Sequence, residues 1–169
     1  MRLRLDRVES PLGTIFIVAG ESCVHAVAFE GASPPAQLEP AADPLGASSR
    51  LRAYFAGDLQ AIEDIPVDPQ GTAFQRSVWN ALRRIRVGTT TTYGQLAASL
   101  GKPSATRAVG MANGSNPIAI VIPCHRVIGA NRTLTGYGGG LDRKRWLLEH
   151  EGVRLPFGAR DSRSFTAFR

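Results

Sequence analysis

Apolar and polar residues alternate through the first thirty positions, a spacing typical of β-strands that bury one face. Two such segments, LRLDRV and TIFIVAG, flank the turn sequence SPLGT, and a third, CVHAVAF, follows closely. Residues 31–47 are rich in alanine, proline and aspartate, which predicts a loop. The segment SSRLRAYFAG then favours a short helix with Ser48 or Ser49 as its N-cap and Gly57 at its end. The pattern predicts a small α/β domain over residues 1–70.

From there onward the apolar positions recur at helical spacing. A Thr-x-x-Gln pattern, typical of a capping box, opens two segments, FQRSVWNALRRI and YGQLAASL. A third helical segment, SATRAVGMAN, carries small apolar residues on one side and ends before Gly114. The last one, DRKRWLLEHE, predicts a helix capped by Asp142 and ended by Gly152. We predict a mostly helical domain over residues 71–152 and a polar tail at 153–169.

The second and third of these helices are joined by the tight connection GKPS. Such a pair predicts a helix-turn-helix, in which the second helix enters a groove of duplex DNA. An ordinary corner between two helices has the same pattern. Arg107 on the second helix of the pair favours the DNA-binding interpretation.

Charge divides the chain near the same point. Residues 1–70 carry five arginines against ten acidic residues, a net charge of −5, whereas residues 71–169 have a net charge of +11. A strongly basic half is typical of a unit that faces a polyanion, although a basic surface that serves only solubility would look the same.

Composition and cysteine count exclude several classes of protein. No apolar run approaches the roughly 20 residues that span a bilayer, and the first residues lack the apolar core of a signal peptide. We therefore expect a soluble, cytoplasmic protein without membrane contact. Two cysteines, Cys23 and Cys124, are too few for a disulfide framework and predict reduced thiols. Cys23 and His25 lack further ligands nearby in the sequence, so we predict no metal site.

An apolar run at 118–122 ends at Pro123 and leads directly into the triplet CHR. Only a thiolate is a strong nucleophile, and His125 could accept the proton of Cys124, directly or through a water, if the chain turns there. A carboxylate would be needed to orient the imidazole. The nearest candidates in the sequence are Glu149 and Glu151. A buried structural cysteine is the alternative interpretation.

The sequence around this triplet, IPCHRVIG, resembles the active-site motif of the O6-alkylguanine-DNA alkyltransferases, the methylated-DNA–protein-cysteine methyltransferases. The resemblance continues through FQRSVWNALRRIRVGTTTTYGQLAASLG, ATRAVGMANGSNPI and TGYGGGLDRKRWLLEHEG, in family order and spacing, over residues 72–152. The front segments SPLG and LRAYFAG also resemble the family. The resemblance implies an N-terminal α/β domain of ribonuclease-H-like type, with antiparallel strands plus a helix. It also implies a C-terminal, mostly helical domain that binds DNA, of winged-helix-like helix-turn-helix type.

Carried over residue by residue, the resemblance makes Cys124 the nucleophile and alkyl acceptor. His125 matches the family's base, which is linked through water to a glutamate that Glu151 matches. Tyr93 matches a tyrosine near the flipped base, whose phenol can bind the purine and protonate the leaving guanine. Asn116 matches the hinge between the recognition helix and the active-site segment.

The resemblance also implies a DNA-contacting set and a pocket for the extruded base. Arg107 resembles the finger that fills the gap left by the extruded nucleotide. The other expected DNA contacts are Thr106, Ala108, Gly110, Asn113 and Tyr93. The expected pocket residues are Tyr137, Gly138, Val127, Ile122 and Pro123. Arg126 is kept outside the catalytic set because a structural role explains it as well.

The implied function is direct-reversal DNA repair. The alkyl group, typically methyl, passes irreversibly and stoichiometrically from O6-alkylguanine in duplex DNA to Cys124 after base flipping, with no cofactor. A monomer is expected, while O4-alkylthymine as a substrate and cooperative assembly on DNA are left open. Some family members bind a structural zinc, but only Cys23 and His25 are present here for one. A related group carries tryptophan instead of the nucleophile, and Cys124 argues against that group.

Two other functions fit parts of the sequence. A cysteine hydrolase using Cys124 and His125 would turn over repeatedly, whereas an alkyltransferase stops after one equivalent. A helix-turn-helix protein that binds a lesion or a sequence without repair would bind DNA equally well after Cys124→Ser.

Overall fold

The computed structural model describes residues 1–32 and 38–155, so most of the tail predicted at 153–169 lies outside the described residues. Contacts between Cα atoms divide the described chain into two compact units. The first contains residues 1–70 and 117–121, and the second contains residues 71–116 and 122–155. No helix among the described residues is long and apolar enough to cross a membrane.

The first unit is built on a four-stranded sheet. Its strands are β1 (Arg4–Ser10), β2 (Gly13–Ala19), β3 (Val24–Phe29) and β4 (Glu39–Pro40). The order is β3-β2-β1-β4, with antiparallel pairing among the first three strands and β4 parallel to β1. The alternating pattern therefore predicted β1 to β3 correctly, whereas β4 lies in the segment predicted as a loop. The run at 117–121 adds to this unit, where Val27 bonds to Pro117 and Ala119 through the backbone.

Helix α1 (Ala47–Phe55) packs on β1 and begins before the two serines that were predicted to cap it. That prediction is wrong because both serines lie inside the helix and bond to acidic residues that precede it in the chain. Asp6 accepts a hydrogen bond from the hydroxyl of Ser48, and Asp43 accepts from the backbone N–H of Ser49 at 2.9 Å.

The second unit contains four helices in its described part. They are α2 (Ala73–Leu82), α3 (Tyr93–Ser99), α4 (Thr106–Gly114) and α5 (Leu141–His150). Both predicted capping boxes are present, at Thr72 with Gln75 and at Thr92 with Gln95. Helix α4 packs against both α2 and α3, which forms the predicted helix pair. Trp79 of α2 is buried and donates from Nε1 to the carbonyl oxygen of Ala112 at 2.8 Å.

Three helix ends differ from the sequence prediction. Helix α2 stops at Leu82, three residues before the predicted end, and continues only as tight turns. Helix α4 begins at Thr106 instead of Ser104, and the N-cap of α5 is Gly140 instead of Asp142. Asp142 lies in the first turn of α5, where its negative charge faces the positive end of the helix dipole.

Two short strands, which the sequence did not predict, position the CHR triplet. β5 (Thr91–Thr92) and β6 (Val127–Ile128) pair in parallel, so that Thr91 lies opposite Val127 and Thr92 opposite Ile128. Because β5 leads directly into α3 and β6 directly follows the CHR triplet, this pairing places the start of α3 beside the triplet.

Candidate active site

The CHR triplet forms a single turn of 3-10 helix, which provides the chain reversal that a neighbouring Cys and His need to act together. The N–H of Cys124 donates to the carbonyl oxygen of Ile122 at 2.8 Å, and the N–H of Arg126 donates to that of Pro123 at 3.0 Å. All three side chains of the triplet are buried. The thiol therefore lies in the interior of the second unit, where its neighbours determine its reactivity.

The imidazole of His125 is held by a carboxylate. Its Nε2 lies 2.8 Å from Oε1 of Glu151, the residue that ends α5, and both side chains are fully buried. Glu151 is thus the orienting carboxylate, whereas Glu149 is exposed. The link expected from the resemblance ran through a water. In the structure it is direct, because 2.8 Å is already a hydrogen-bond distance and leaves no space for an intervening molecule.

This contact also fixes the tautomer of the imidazole. An ionised carboxylate accepts hydrogen bonds only, so Nε2 of His125 carries the proton and Nδ1 keeps its lone pair. Nδ1 is buried and has no hydrogen-bond partner among the described residues. It is the ring nitrogen that can accept a proton.

Arg126 fixes the carboxylate in turn. Its Nε and Nη2 each donate at 2.9 Å to the two oxygens of Glu151, and its Nη1 donates at 2.7 Å to the carbonyl oxygen of Ile85. A bidentate pair of this kind sets both the position and the plane of the carboxylate. Arg126 does not belong to the predicted catalytic set, and its contacts are those of a positioning residue.

The ionisation of this group follows from its surroundings. Burial would raise the pKa of Glu151, but the hydrogen bonds and charges of His125 and Arg126 outweigh it and lower the pKa to about 2. Burial lowers the pKa of His125, and the hydrogen bond to Glu151 opposes that shift only in part. At neutral pH the group therefore consists of a carboxylate, a guanidinium and a neutral imidazole, which is the base form.

The thiol of Cys124 is surrounded by amide and ammonium groups. Burial raises its pKa, and a hydrogen bond with the Asn116 side chain and the charge of Lys144 reduce that effect. Nδ2 of Asn116 also donates to the carbonyl oxygen of Ile122 at 2.8 Å. The free protein therefore holds Cys124 as a thiol that needs a base to become a nucleophile.

The structure places Asn113 differently from the expected DNA contact. Only 4% of Asn113 is exposed, and its Nδ2 lies 3.4 Å from the carbonyl oxygen of Cys124, a long hydrogen bond. Its side chain therefore lies behind Cys124 and not on the outer face of α4.

Lys144 is a site residue that the sequence interpretation missed. It is fully buried, its Nζ donates to the carbonyl oxygen of Thr135 at 2.7 Å, and it lies 6.0 Å from the ring centre of Tyr93. Burial lowers its pKa to about 8. The sequence did carry a signal that Lys144 is buried. The i, i+3, i+4, i+7 spacing of one buried helix face is followed by Lys144, Leu147, Leu148 and Glu151.

Tyr93 lies at the first position of α3, partly exposed, with its hydroxyl 3.3 Å from the carbonyl oxygen of Thr135. Gly110 of α4 passes close to it, since a Cβ there would lie 3.7 Å from the tyrosine ring. Tyr93, Lys144 and the loop that carries Thr135 therefore form one side of the site.

The remaining expected residues divide by exposure. Buried next to Cys124 in the chain are Ile122, Pro123 and Val127. Tyr137 is partly exposed and Gly138 is exposed, in the loop before α5. On the outer side of α4, Thr106, Arg107 and Ala108 are exposed. Among the described residues, no group of three or more His, Cys, Asp or Glu side chains could hold a metal ion.

Acidification is expected to destabilise the protein in two stages. Both His125 and Glu151 have a lower pKa in the folded chain than in the unfolded one, so the unfolded chain binds more protons. Their stabilisation is present above about pH 6.5 and is lost first as pH falls through 6.5, then from 4.5 towards 2. The fall of the Glu151 pKa from 4.5 to about 2 corresponds to about 3 kcal/mol.

Urea unfolding between pH 8 and pH 2 measures both losses of stability, the His125 stage near pH 6.5 and the Glu151 stage below pH 4.5. Glu149→Gln is the matched control, because an exposed carboxyl two residues away should leave the slope against pH unchanged. A free energy of unfolding that is constant from pH 7 to pH 4 would contradict the assignment.

Comparisons with known proteins match both units of the chain. The family model described as 6-O-methylguanine DNA methyltransferase, DNA binding domain, matches residues 73–153, and the model described as its ribonuclease-like domain matches residues 4–69. A methylated-DNA–protein-cysteine methyltransferase from Shigella flexneri is 47% identical over 169 residues, which cover 92% of this chain and 99% of the relative. A Mycobacterium tuberculosis relative of the same name is 47% identical, covering 88% of this chain and 92% of its own.

Solved structures of similar proteins also match over most of the chain. Mycobacterium tuberculosis OGT in complex with DNA has a TM-score of 0.83 and 42% identity, covering 98% of this chain and 99% of its own. A Mycobacterium tuberculosis O6-methylguanine methyltransferase has a TM-score of 0.80 and 43% identity, covering 91% of this chain and 95% of its own. The predicted fold class, a ribonuclease-like α/β domain followed by a helical DNA-binding domain, is confirmed.

Proposed function

The chain belongs to the 6-O-methylguanine DNA methyltransferase family, and from that membership we propose that Cys124 accepts the alkyl group of O6-alkylguanine in duplex DNA. Its activity is that of a methylated-DNA–protein-cysteine methyltransferase, which reverses DNA damage directly. One observation supports Cys124 above all others. The buried thiol is followed in the chain by a neutral imidazole that a carboxylate and a guanidinium hold in the base form.

The base has to leave the DNA stack before the reaction. The alkyl carbon on O6 is shielded by stacking and pairing, and Cys124 is only 6% exposed on the protein. A nucleotide rotated out of the duplex can reach such a thiol, at a cost of a few kcal/mol. Arg107, exposed on α4, is proposed to fill the gap in the stack and so to offset that cost.

The transfer itself is a displacement at carbon. Nδ1 of His125 has no direct hydrogen bond to the thiol, so it takes the proton of Cys124 through a water, and the carboxylate of Glu151 stabilises the imidazolium that forms. The sulfur–carbon bond forms while the bond between the alkyl carbon and O6 breaks. The leaving guanine takes a proton from the hydroxyl of Tyr93. The Tyr93 oxygen then takes a proton from solvent while His125 releases the thiol proton to solvent, so no proton is gained or lost overall. The positive charge of Lys144 stabilises the thiolate as it develops.

The product explains why the protein should act only once. A thioether on Cys124 has no easy route to hydrolysis, so the alkylated chain is the end product and no cofactor is needed. On the basis of family membership we propose that the chain acts as a monomer in the cytoplasm, with domains at 1–70 and 71–152.

Intact mass spectrometry tests the proposal directly. The protein is mixed with a slight excess of duplex that contains one O6-methylguanine, and the modified peptide is then mapped. We expect one added methyl group, located on Cys124, with guanine restored and no second turnover. An unmodified protein that binds the lesion tightly would indicate lesion sensing without repair, and repeated turnover of a small ester would indicate a hydrolase.

Arg107→Ala is expected to slow repair of duplex DNA by about tenfold or more, because the gap left by the extruded base is no longer filled. The reaction with free O6-benzylguanine needs no extrusion and should change by less than about twofold. Rate constants on both substrates measure the difference, with Arg107→Lys as the conservative variant. Equal losses on both substrates would rule out the finger role.

A further inference from the structure

Met111 is a large apolar side chain that points away from the core of the second unit. It is 72% exposed, whereas its helix neighbours Val109 and Ala112 are buried. A single exposed apolar residue needs no explanation by itself. Its position matters, because it follows Arg107 by four residues on α4 and therefore lies on the same face, one turn further along.

The surface around these two side chains is flat, because the neighbouring positions on this face are glycines. Gly110 and Gly114 also lie on this face of α4, three and seven residues after Arg107. A Cβ at Gly114 would meet nothing within 4 Å, and one at Gly110 would meet only the ring of Tyr93. Arg107 and Met111 are thus the two long side chains on this face of α4. Gly110, on the same face, lies against the ring of Tyr93 in the candidate active site.

We infer that Met111 contacts duplex DNA directly and acts, beside Arg107, as a positioning residue of the protein–DNA complex. The inference rests on the proposed function, in which α4 lies against the duplex. The chemistry fits, because DNA-binding proteins use apolar side chains, methionine among them, as wedges against base steps. The flexible thioether adapts to an irregular surface. Arg107 gives this face a positive charge, and the net charge of +11 over residues 71–169 favours a polyanion as its partner.

Oxidation footprinting tests the contact in the chain without any substitution. Dilute hydrogen peroxide transfers one oxygen atom to a thioether, giving the sulfoxide and water. The chain has two methionines, and Met1, 88% exposed in the first unit, is the internal reference. With a saturating lesion-free duplex, we expect the oxidation rate of Met111 relative to Met1 to fall about fivefold or more. An unchanged ratio would overturn the inference.

Two substitutions give a second, independent readout. Met111→Ala should weaken duplex binding about three- to tenfold at every salt concentration and leave the salt dependence unchanged, because an apolar contact releases no counterion. Met111→Lys should steepen the plot of log affinity against log salt by about one phosphate contact. If neither variant differs from the parent chain, Met111 does not face the DNA.

The reaction with free O6-benzylguanine separates this inference from the proposed function. Both Met111 variants should react with it at the parent rate, which shows that the active site is intact. Transfer of methyl from duplex DNA with an unchanged footprint would leave the function standing and reject the Met111 contact. Absence of methyl transfer would reject the function, while the footprint ratio would still report the DNA contact.

Discussion

Cys124→Ala is expected to reduce alkyl transfer from one equivalent per protein to none while leaving the lesion-bearing duplex bound. The substitution removes the sulfur that forms the new bond, and no oxygen or nitrogen nucleophile replaces it. Because the side chain is small and its neighbours are held by their own hydrogen bonds, the His125–Glu151 pair should stay in place. Intact mass and the affinity for a duplex with O6-methylguanine measure the two effects.

Cys23→Ala is the matched control for that experiment. Cys23 is the second reduced cysteine of the chain and lies in the first unit, only partly buried. It should still give one methyl group per protein. Transfer that survives in the Cys124 variant and disappears in the Cys23 variant would show that the acceptor has been assigned to the wrong thiol. Loss of DNA binding in the Cys124 variant would indicate a structural cysteine.

Local chemistry explains which elements the sequence predicted well. The two Thr-x-x-Gln capping boxes need only residues three apart, and both are formed in the structure. The strands β1 to β3 follow from period-two burial of one face. The turn that the CHR triplet needs is also present in the structure, directly after Pro123.

Long-range contacts explain most of what was missed. The hydroxyl of Ser48 bonds to Asp6, a partner 42 residues away, so its capping propensity did not decide where α1 begins. The strand β4 consists of two residues, and its one strand neighbour among the described residues is β1. Neither contact leaves a periodic signal in the sequence.

In the active site, too, the sequence offered the candidate residues and long-range packing selected among them. Glu151 was one of two nearby carboxylates, and only the packing of α5 decides between it and the exposed Glu149. Lys144 stands between two arginines in the sequence, which suggests a solvated basic face. Only the helical phase of the buried leucines after it places its ammonium inside the protein, on the carbonyl of Thr135.

Glu151→Gln is expected to slow transfer by about a hundredfold or more and to lower the free energy of unfolding by about 3–5 kcal/mol. The amide keeps the volume of the side chain but loses its charge, so the buried guanidinium of Arg126 is no longer compensated. The amide oxygen also holds the proton on Nε2 of His125 more weakly than a carboxylate does and stabilises the imidazolium less.

The pH dependence of transfer distinguishes loss of the base from simple loss of fold. With His125 disabled, the reaction depends on spontaneous ionisation of the thiol, whose pKa burial raises, so the variant's rate with free O6-benzylguanine should rise about tenfold per pH unit. The parent chain should show a shallower rise, because its base already has a lowered pKa. Glu149→Gln should match the parent in rate and in stability. A folded Glu151 variant with the parent's rate and pH profile would show that the carboxylate does not serve the transfer, and the His125–Glu151 contact would then be structural only.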